Sequence, residues 1–442
     1  MGVSTSPRGT VALPILSACL ANHNQRFIKA TLLKITSVLN TFSSLGNDHA
    51  IRRRRVSGTY SKAHLHKSRH IRAITSNTLQ ACWAIFQESA DTKSPIDFLS
   101  LSFGYSIDFM TAMIFGLPQA TNFIQDAEKR KKWLALYAQS HPSNSMFWMQ
   151  ELPGLTSCLA WAGFPLLPRS YRKAKEKLES WALGLLDAAE QYLKEQKESA
   201  SMSAGNLPML LHDMKQIMAL EVNRAGRQML SLGQEKEHRE TKYEEIDRQG
   251  REINERVKDG SAGRLELASE CLDHIVATRD TFGISMAYVL WQISRHEEAQ
   301  ARIRKELKEH IPQIIHPNTT KESEMAFLPS PGNLDQLQYL NAVIKESLRL
   351  RNTVPTSNPR LTPRNTMTRI GNYDGIPGGV RISAFAWCLH RQETVFERPE
   401  EWNPDRWLLD DRQKLAEMNR WNWTFGSGSR MCLGRHLAWL CK

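Results

Sequence analysis

Phe425-Gly426-Ser427-Gly428-Ser429-Arg430-Met431-Cys432-Leu433-Gly434 decides the reading of this chain. One cysteine stands among glycines, beside an arginine, ahead of an apolar stretch from His436 to Leu440. Gly428 and Gly434 permit tight turns and a close backbone approach to a flat ligand. A helix opening near Gly434 turns free N–H groups toward the sulfur, which favours thiolate over thiol. Arg430 suits a carboxylate, and Phe425 suits packing beside the sulfur. The alternative is a free cysteine acting as a small core residue, the commoner fate of a lone cysteine. The spacing Phe-x-x-Gly-x-Arg-x-Cys-x-Gly fixes five positions, and chance produces it about once in ten thousand such chains. That rarity favours a ligand loop.

The 442 residues are 41% hydrophobic and 24% charged, enough to bury a large core. Seven cysteines, at 19, 82, 158, 271, 388, 432 and 441, lack paired spacing. An odd, dispersed set argues against a secreted disulfide scaffold and for a reducing, intracellular compartment. No Cys/His cluster has the spacing of a zinc site. The net charge of +12 suits an acidic partner, a membrane surface or nucleic acid. The run Arg52-Arg53-Arg54-Arg55 is the sharpest basic feature, but no base-reading module accompanies it, and nucleic-acid binding is not expected. Val11 to Leu20 is about half the length needed to cross a bilayer and contains Pro14, so no transmembrane helix is expected.

Residues 1–45 carry little pattern. Helical periodicity predicts helices over Ile96–Phe115, Ala174–Lys194, Leu265–His296 and Asp335–Leu350. The polar segment Gly205 to Gly263 reads as a surface helix plus a loop, with Gly260 to Gly263 breaking the chain before a long central helix. His316 to Pro331 reads as another loop. Strand signals cluster at Thr353–Asp374 and Val380–Ala384, around the turn Pro377-Gly378-Gly379. The expected fold is mainly α with a small β-sheet late in the chain.

Three further constellations stand out. Glu346 and Arg349 lie three apart on one helix face, ahead of Phe396-x-x-Pro399-x-x-Trp402-x-Pro404-Asp405-Arg406-Trp407. Alone, that pair reads as an ordinary surface contact. Asp280 and Thr281, an acid followed by an alcohol in mid-helix, are able to relay protons; the plain alternative is a polar pair on a solvated face. His49 and Arg53 share a helix face by their spacing, and Arg360 lies in a strand segment. Histidine and arginine at such positions are also ordinarily exposed surface residues.

In this order, from about His49 to the end, these residues resemble the cytochrome P-450 superfamily, most like its filamentous-fungal members. The resemblance implies a helix-dominated α+β fold and a haem-thiolate monooxygenase domain over 46–442. It implies haem b with Cys432 as axial thiolate, and a cofactor-binding set of His49, Arg53, Arg360, Phe425, Arg430, Cys432 and Gly434. Asp280 and Thr281 are implied as proton carriers. Glu346, Arg349 and Arg406 are implied as a structural network behind the haem. Thr278 stands where the family usually has glycine, and Phe282 where it has a second Thr or Ser. Family members also carry an N-terminal anchor, an early sheet and a final β-hairpin. The short flanks here imply an incomplete N-terminal sheet and C-terminal hairpin.

The implied partners are dioxygen, a small apolar organic substrate, and an NADPH-cytochrome P-450 reductase docking near Arg435. The implied location is the cytoplasmic face of the endoplasmic reticulum. Two other readings stay open: a haem-thiolate isomerase or dehydratase needing no external electrons, motivated by Thr278 and Phe282, and a non-catalytic truncated copy.

Overall fold

Side-chain oxygens start many of the helices. Ser68 accepts from the Ile71 N–H at 3.3 Å, Asp97 from Ser100 at 3.0 Å and Asp126 from Lys129 at 2.8 Å. Each satisfies a donor that the first turn leaves without a partner. The computed structural model describes residues 44, 46–141, 148, 152–196, 203–234, 260–311, 328–355 and 357–441.

The helices run α1 (Gly46–Ser57), α2 (Lys62–Lys67), α3 (Arg69–Thr92), α4 (Phe98–Phe115), α5 (Ala127–Ser140), α6 (Pro153–Trp161), α7 (Arg169–Gln196) and α8 (Met209–Gln234). They continue as α9 (Gly260–Thr278), α10 (Ile284–Arg295), α11 (Glu297–His310), α12 (Pro331–Gln336) and α13 (Gln338–Leu350). Four strands follow: β1 (Ser357–Leu361), β2 (Thr368–Ile370), β3 (Tyr373–Ile376) and β4 (Arg381–Phe385). The chain closes with α14 (Ala386–Leu389), α15 (Arg412–Trp421) and α16 (Arg435–Cys441). The architecture is therefore mainly α.

In place of one small sheet there are, among the described residues, two antiparallel ribbons, β1 with β4 and β2 with β3. Thr362 separates them. Its backbone N–H donates to Val380 O at 3.0 Å and its hydroxyl to Pro377 O at 2.7 Å, so the β2–β3 excursion is pinched off at its base.

Two compact units share the chain. The first takes the described residues within Met1–Arg52, Asp126–Ala200 and Leu211–His274; the second takes those within Arg53–Gln125, Ser201–Leu210 and Ile275–Lys442. In the first, Trp133 of α5 stacks on Tyr137 at 5.4 Å and meets Trp181 of α7 edge-on at 5.3 Å. Arg52 pairs with Glu266 at 2.5 Å, which leaves one member of the basic run half-buried and neutralised.

In the second unit, α4 is buried over nearly its whole circumference. By length and composition it is the one described helix long and apolar enough to cross a membrane. An all-round apolar helix with its side chains enclosed reads as a core helix.

Several boundaries differ from the sequence reading. The stretch expected as one central helix holds a π turn at Arg279–Gly283 between α9 and α10. Gly260 to Gly263 form the first turn of α9 and do not break the chain. A glycine there costs about 1 kcal/mol against alanine, which a 19-residue helix absorbs. Asp335–Leu350 is interrupted at Leu337, because Glu306 of α11 accepts the Tyr339 and Leu340 N–H groups at 2.7 and 2.9 Å and starts α13 afresh. Of the loop expected over 316–331, residues 328–330 are described and lie outside helix and strand, Pro331 opens α12 behind its cap Ser330, and residues 316–327 lie outside the described residues. Residues 1–43, with Cys19 and the Val11–Leu20 stretch, and the charged run 235–240 lie outside the described residues.

The π turn crosses α4 at Gly283. A Cβ there would stand 2.8 Å from a ring carbon of Phe103 and 3.2 Å from the Ser102 carbonyl. Gly283→Ala is expected to lose about 1–3 kcal/mol through overpacking, read as a lower midpoint in urea unfolding.

Candidate functional site

The cysteine loop is shaped by its own backbone. Asn422 caps the turn after α15, accepting from Thr424 N at 3.2 Å and from the Thr424 hydroxyl at 2.6 Å. Gly426 and Gly428 both adopt positive φ, +70° and +71°, a conformation that side chains resist. The Cys432 N–H then donates to Phe425 O at 2.8 Å and closes the loop, two residues before α16.

Cys432 is exposed, whereas Cys82 and Cys271 are buried. Burial pushes the Cys271 thiol up, with the carboxylates of Glu270 and Glu190 adding to the rise, so that sulfur stays a neutral core group. Gly434 lies in the turn that enters α16, without a left-handed φ. A Cβ at Gly434 would lie 4.0 Å from Cys432 Sγ, so glycine keeps that side of the sulfur open. Gly426, which sequence reasoning passed over, is the second left-handed corner of the loop.

Phe425 and Trp439 face each other at 6.4 Å and pack on Val289, Ile344 and Leu348. The loop thereby rests on α10 and α13, on apolar contacts that exclude water from its underside.

Three arginines converge near this loop. Burial, then the charges of Arg360 and Arg53, hold the Arg430 guanidinium below its ordinary range. Like charges assembled this way call for an anion among them. Arg360 projects from the same face of β1 as Asn358, whose Oδ1 lies 4.0 Å from the position of a Cβ on Gly426. Arg53 follows His49 by one turn of α1. His49 is only 8% exposed, so it is not the surface histidine of the plain alternative.

Asp280 and Thr281 sit in the π turn, both half-buried. The Thr281 hydroxyl donates to Ala277 O at 2.8 Å, leaving its oxygen lone pairs available to accept. Arg279, which sequence reasoning overlooked, pairs with Asp280 at 2.5 Å while lying 4.0 Å over the Phe103 ring. Phe282 is buried and stacks on Tyr105 at 5.8 Å, so the aromatic at this position serves the core.

Behind the loop, Glu346, Arg349 and Arg406 come together. Arg349 grips both Glu346 oxygens at 2.8 and 2.9 Å, and Arg406 Nε donates to Oε1 at 2.9 Å. The Trp407 indole donates to Oε2 at 3.0 Å and the Asn403 N–H to Oε1 at 3.1 Å. The carboxylate and Arg349 are fully buried, and Arg406 nearly so. The second positive charge is spread over carbonyls: Arg349 reaches His390 O at 2.7 Å and Arg406 reaches Glu397 O at 2.9 Å.

His390, also fully buried, was not singled out by sequence. Burial first, and then the nearby Arg349 and Arg391 charges, depress its pKa to about 4, against the opposing effects of its Arg349 backbone bond and Glu346. No sequence signal marks a lone histidine whose partners lie 41 and 33 residues away.

Comparison with known proteins adds a family. The model described as Cytochrome P-450 matches residues 19–440. A cytochrome P-450 monooxygenase of Aspergillus terreus is 33% identical over 185 residues, covering 42% of this chain and 35% of that protein. The cytochrome P-450 monooxygenase BOT1 of Botryotinia fuckeliana is 39% identical over 136 residues, 29% of this chain and 25% of its own length. The longest of these matches is the cytochrome P-450 monooxygenase avaI of Aspergillus versicolor, 23% identical over 402 residues, 88% of this chain and 78% of that one. The chain spans about a third of the length of the first curated relatives it matches.

Removing the shared carboxylate, Glu346→Ala, strands two buried guanidiniums and is expected to cost about 3–5 kcal/mol in denaturant unfolding. His390 gives a pH signature. Its folded-state pKa lies below the ordinary 6.5, so its stabilising contribution is complete above pH 6.5 and is lost progressively down to about pH 4. The loss amounts to about 3 kcal/mol, and His390→Gln should flatten the slope of stability against pH in that window.

Proposed function

The chain belongs to the cytochrome P-450 family, and from that premise we propose that it is a haem-thiolate monooxygenase. It inserts one oxygen atom of dioxygen into a small apolar organic substrate, in fungal secondary metabolism or xenobiotic oxidation. The observation carrying this reading is Cys432, exposed on a glycine-cornered loop beside three converging arginines.

The donor set fits haem. A porphyrin presents an iron that takes a thiolate and two carboxylates that take arginines. Cys432 supplies the first, and Arg53, Arg360 and Arg430 the second. When bound, haem supplies the activation of dioxygen, with two electrons and two protons consumed and one oxygen atom leaving as water.

The protein's own residues do the rest. Phe425 and Trp439 seat the loop on its apolar support, and the absence of a side chain at Gly434 leaves the thiolate room. Asp280 takes up and releases a proton at its carboxylate, held in register by Arg279. Thr281 accepts a hydrogen bond at its hydroxyl oxygen while its own O–H stays on Ala277 O, so it orients the proton donor and does not itself carry the proton. Electrons come from NADPH through a flavoprotein reductase, whose acidic face docks at Arg435 and neighbouring basic residues. The same reading gives an intracellular protein at the cytoplasmic face of the endoplasmic reticulum. The isomerase alternative loses half of its motive, because core packing on Tyr105 accounts for Phe282.

Purified with haem, the protein is expected to give the carbon monoxide difference spectrum of a cysteinate-ligated haem, and Cys432→Ser to abolish it; a colourless folded protein would overturn the reading. Arg360→Ala and Arg430→Ala should each weaken haem binding by about ten- to a hundredfold, as the loss of a charge-assisted bond implies, measured by transfer to apomyoglobin. Product formation should require both NADPH and reductase. Turnover without them would favour isomerase or dehydratase chemistry.

A further inference from the structure

His390 makes two hydrogen bonds in opposite directions. Its Nδ1 lies 2.9 Å from the carbonyl of Arg349 at the end of α13, and its Nε2 accepts from the Trp423 N–H at 2.9 Å. A carbonyl only accepts and an amide N–H only donates, so one form of the ring satisfies both: neutral, with the proton on Nδ1. The depressed pKa keeps the ring in that form at physiological pH. Arg349 returns the bond, donating from its guanidinium to the His390 carbonyl at 2.7 Å.

Trp423 opens the cysteine loop. Two residues on, Phe425 O receives the Cys432 N–H at 2.8 Å. An unbroken polar path therefore runs from the Glu346 carboxylate through Arg349, His390 and the Trp423 amide into the turn that ends at Cys432. The Asn422 cap and the Gly426 N–H to Trp423 O bond are internal to the loop, and the Asn422 N–H to Met418 O bond ties it only to the end of α15; these three bonds fix no position relative to α13.

We propose that His390 is a positioning residue for the thiolate: its Nε2 bond to the Trp423 amide anchors the cysteine loop to the buried Glu346–Arg349 pair and sets where Cys432 stands. This rests on the haem-thiolate reading for its consequence, but the anchoring itself is a property of the chain alone.

Two substitutions divide the histidine's contacts. In H390Q the side-chain oxygen stands close to the place of Nε2 and still accepts from Trp423. In H390N the amide stands at the place of Nδ1, still donates to Arg349 O and leaves the Trp423 N–H without its acceptor. The 442-residue chain is studied without haem by amide hydrogen exchange and with haem by the carbon monoxide spectrum. Wild type should protect the Trp423 and Cys432 amides. H390N should exchange both at least about tenfold faster, the equivalent of one lost hydrogen bond, and should shift its haem toward a spectrum without cysteinate. H390Q should match wild type within about twofold, a difference smaller than one hydrogen bond.

Wild-type Trp423 exchanging like an exposed loop amide overturns the proposal, even if neither variant folds. So does loss of the thiolate spectrum in equal measure in both variants, in step with lowered melting temperature. Absence of a thiolate spectrum in haem-loaded wild type would instead count against the haem-thiolate reading, and the exchange data would still decide the anchoring.

Discussion

A carboxylate with no solvent exposure, shared by two guanidiniums, is the contact on which this molecule leans. Taking Glu346 out of water costs several kcal/mol, which only close and complete partners repay. Five donors supply that compensation: two from Arg349, one from Arg406, the Trp407 indole and the Asn403 amide. The donors come from two places in the sequence, the helix Gln338–Leu350 and the 403–407 turn. Satisfying the charge therefore holds that turn against the helix. The surplus positive charge is absorbed by backbone carbonyls, which fixes the intervening chain as well. A network of this kind is rigid because every member has a use for every other.

The two sides of the candidate site are built by different physics. Behind the cysteine loop, geometry is set by buried charge and by an apolar cluster of Val289, Ile344, Leu348, Phe425 and Trp439. On the side of Asp280 and Thr281, it is set by a helix widened into a π turn and pressed against Phe98–Phe115 at Gly283. The first arrangement resists displacement. The second leaves polar side chains half-exposed in a helix whose regular bonding is locally relaxed, a common setting for chemistry.

Much of this was legible in the chain because it is local. Turn glycines and apolar periodicity act within a few positions, and the main helices and the cysteine loop can be read from them. The Glu346–Arg349 pair was visible for the same reason, being three residues apart on one face. What escaped reading depends on distant partners or on backbone angle. His390 meets Arg349 and Trp423 only after folding. The positive φ of Gly426 leaves no mark that distinguishes it from any other glycine. The π turn was hidden because apolar spacing continues through it, and the restart at Leu337 because its cause, Glu306, lies some thirty residues upstream. The two ribbons replaced a single sheet because Thr362 closes the excursion with its side chain, which β propensity does not register.

The left-handed pair Gly426 and Gly428 gives the cysteine loop its shape from the main chain alone. Its sulfur is consequently held at the surface of the loop, where small solutes reach it. A thiol so placed would be open to sulfenic acid formation until iron occupied it, a contest between oxidation and metallation. Cys82 and Cys271, both buried, stand outside the contest. Prompt delivery of the tetrapyrrole to the nascent chain is thus as much a protective step as an activating one.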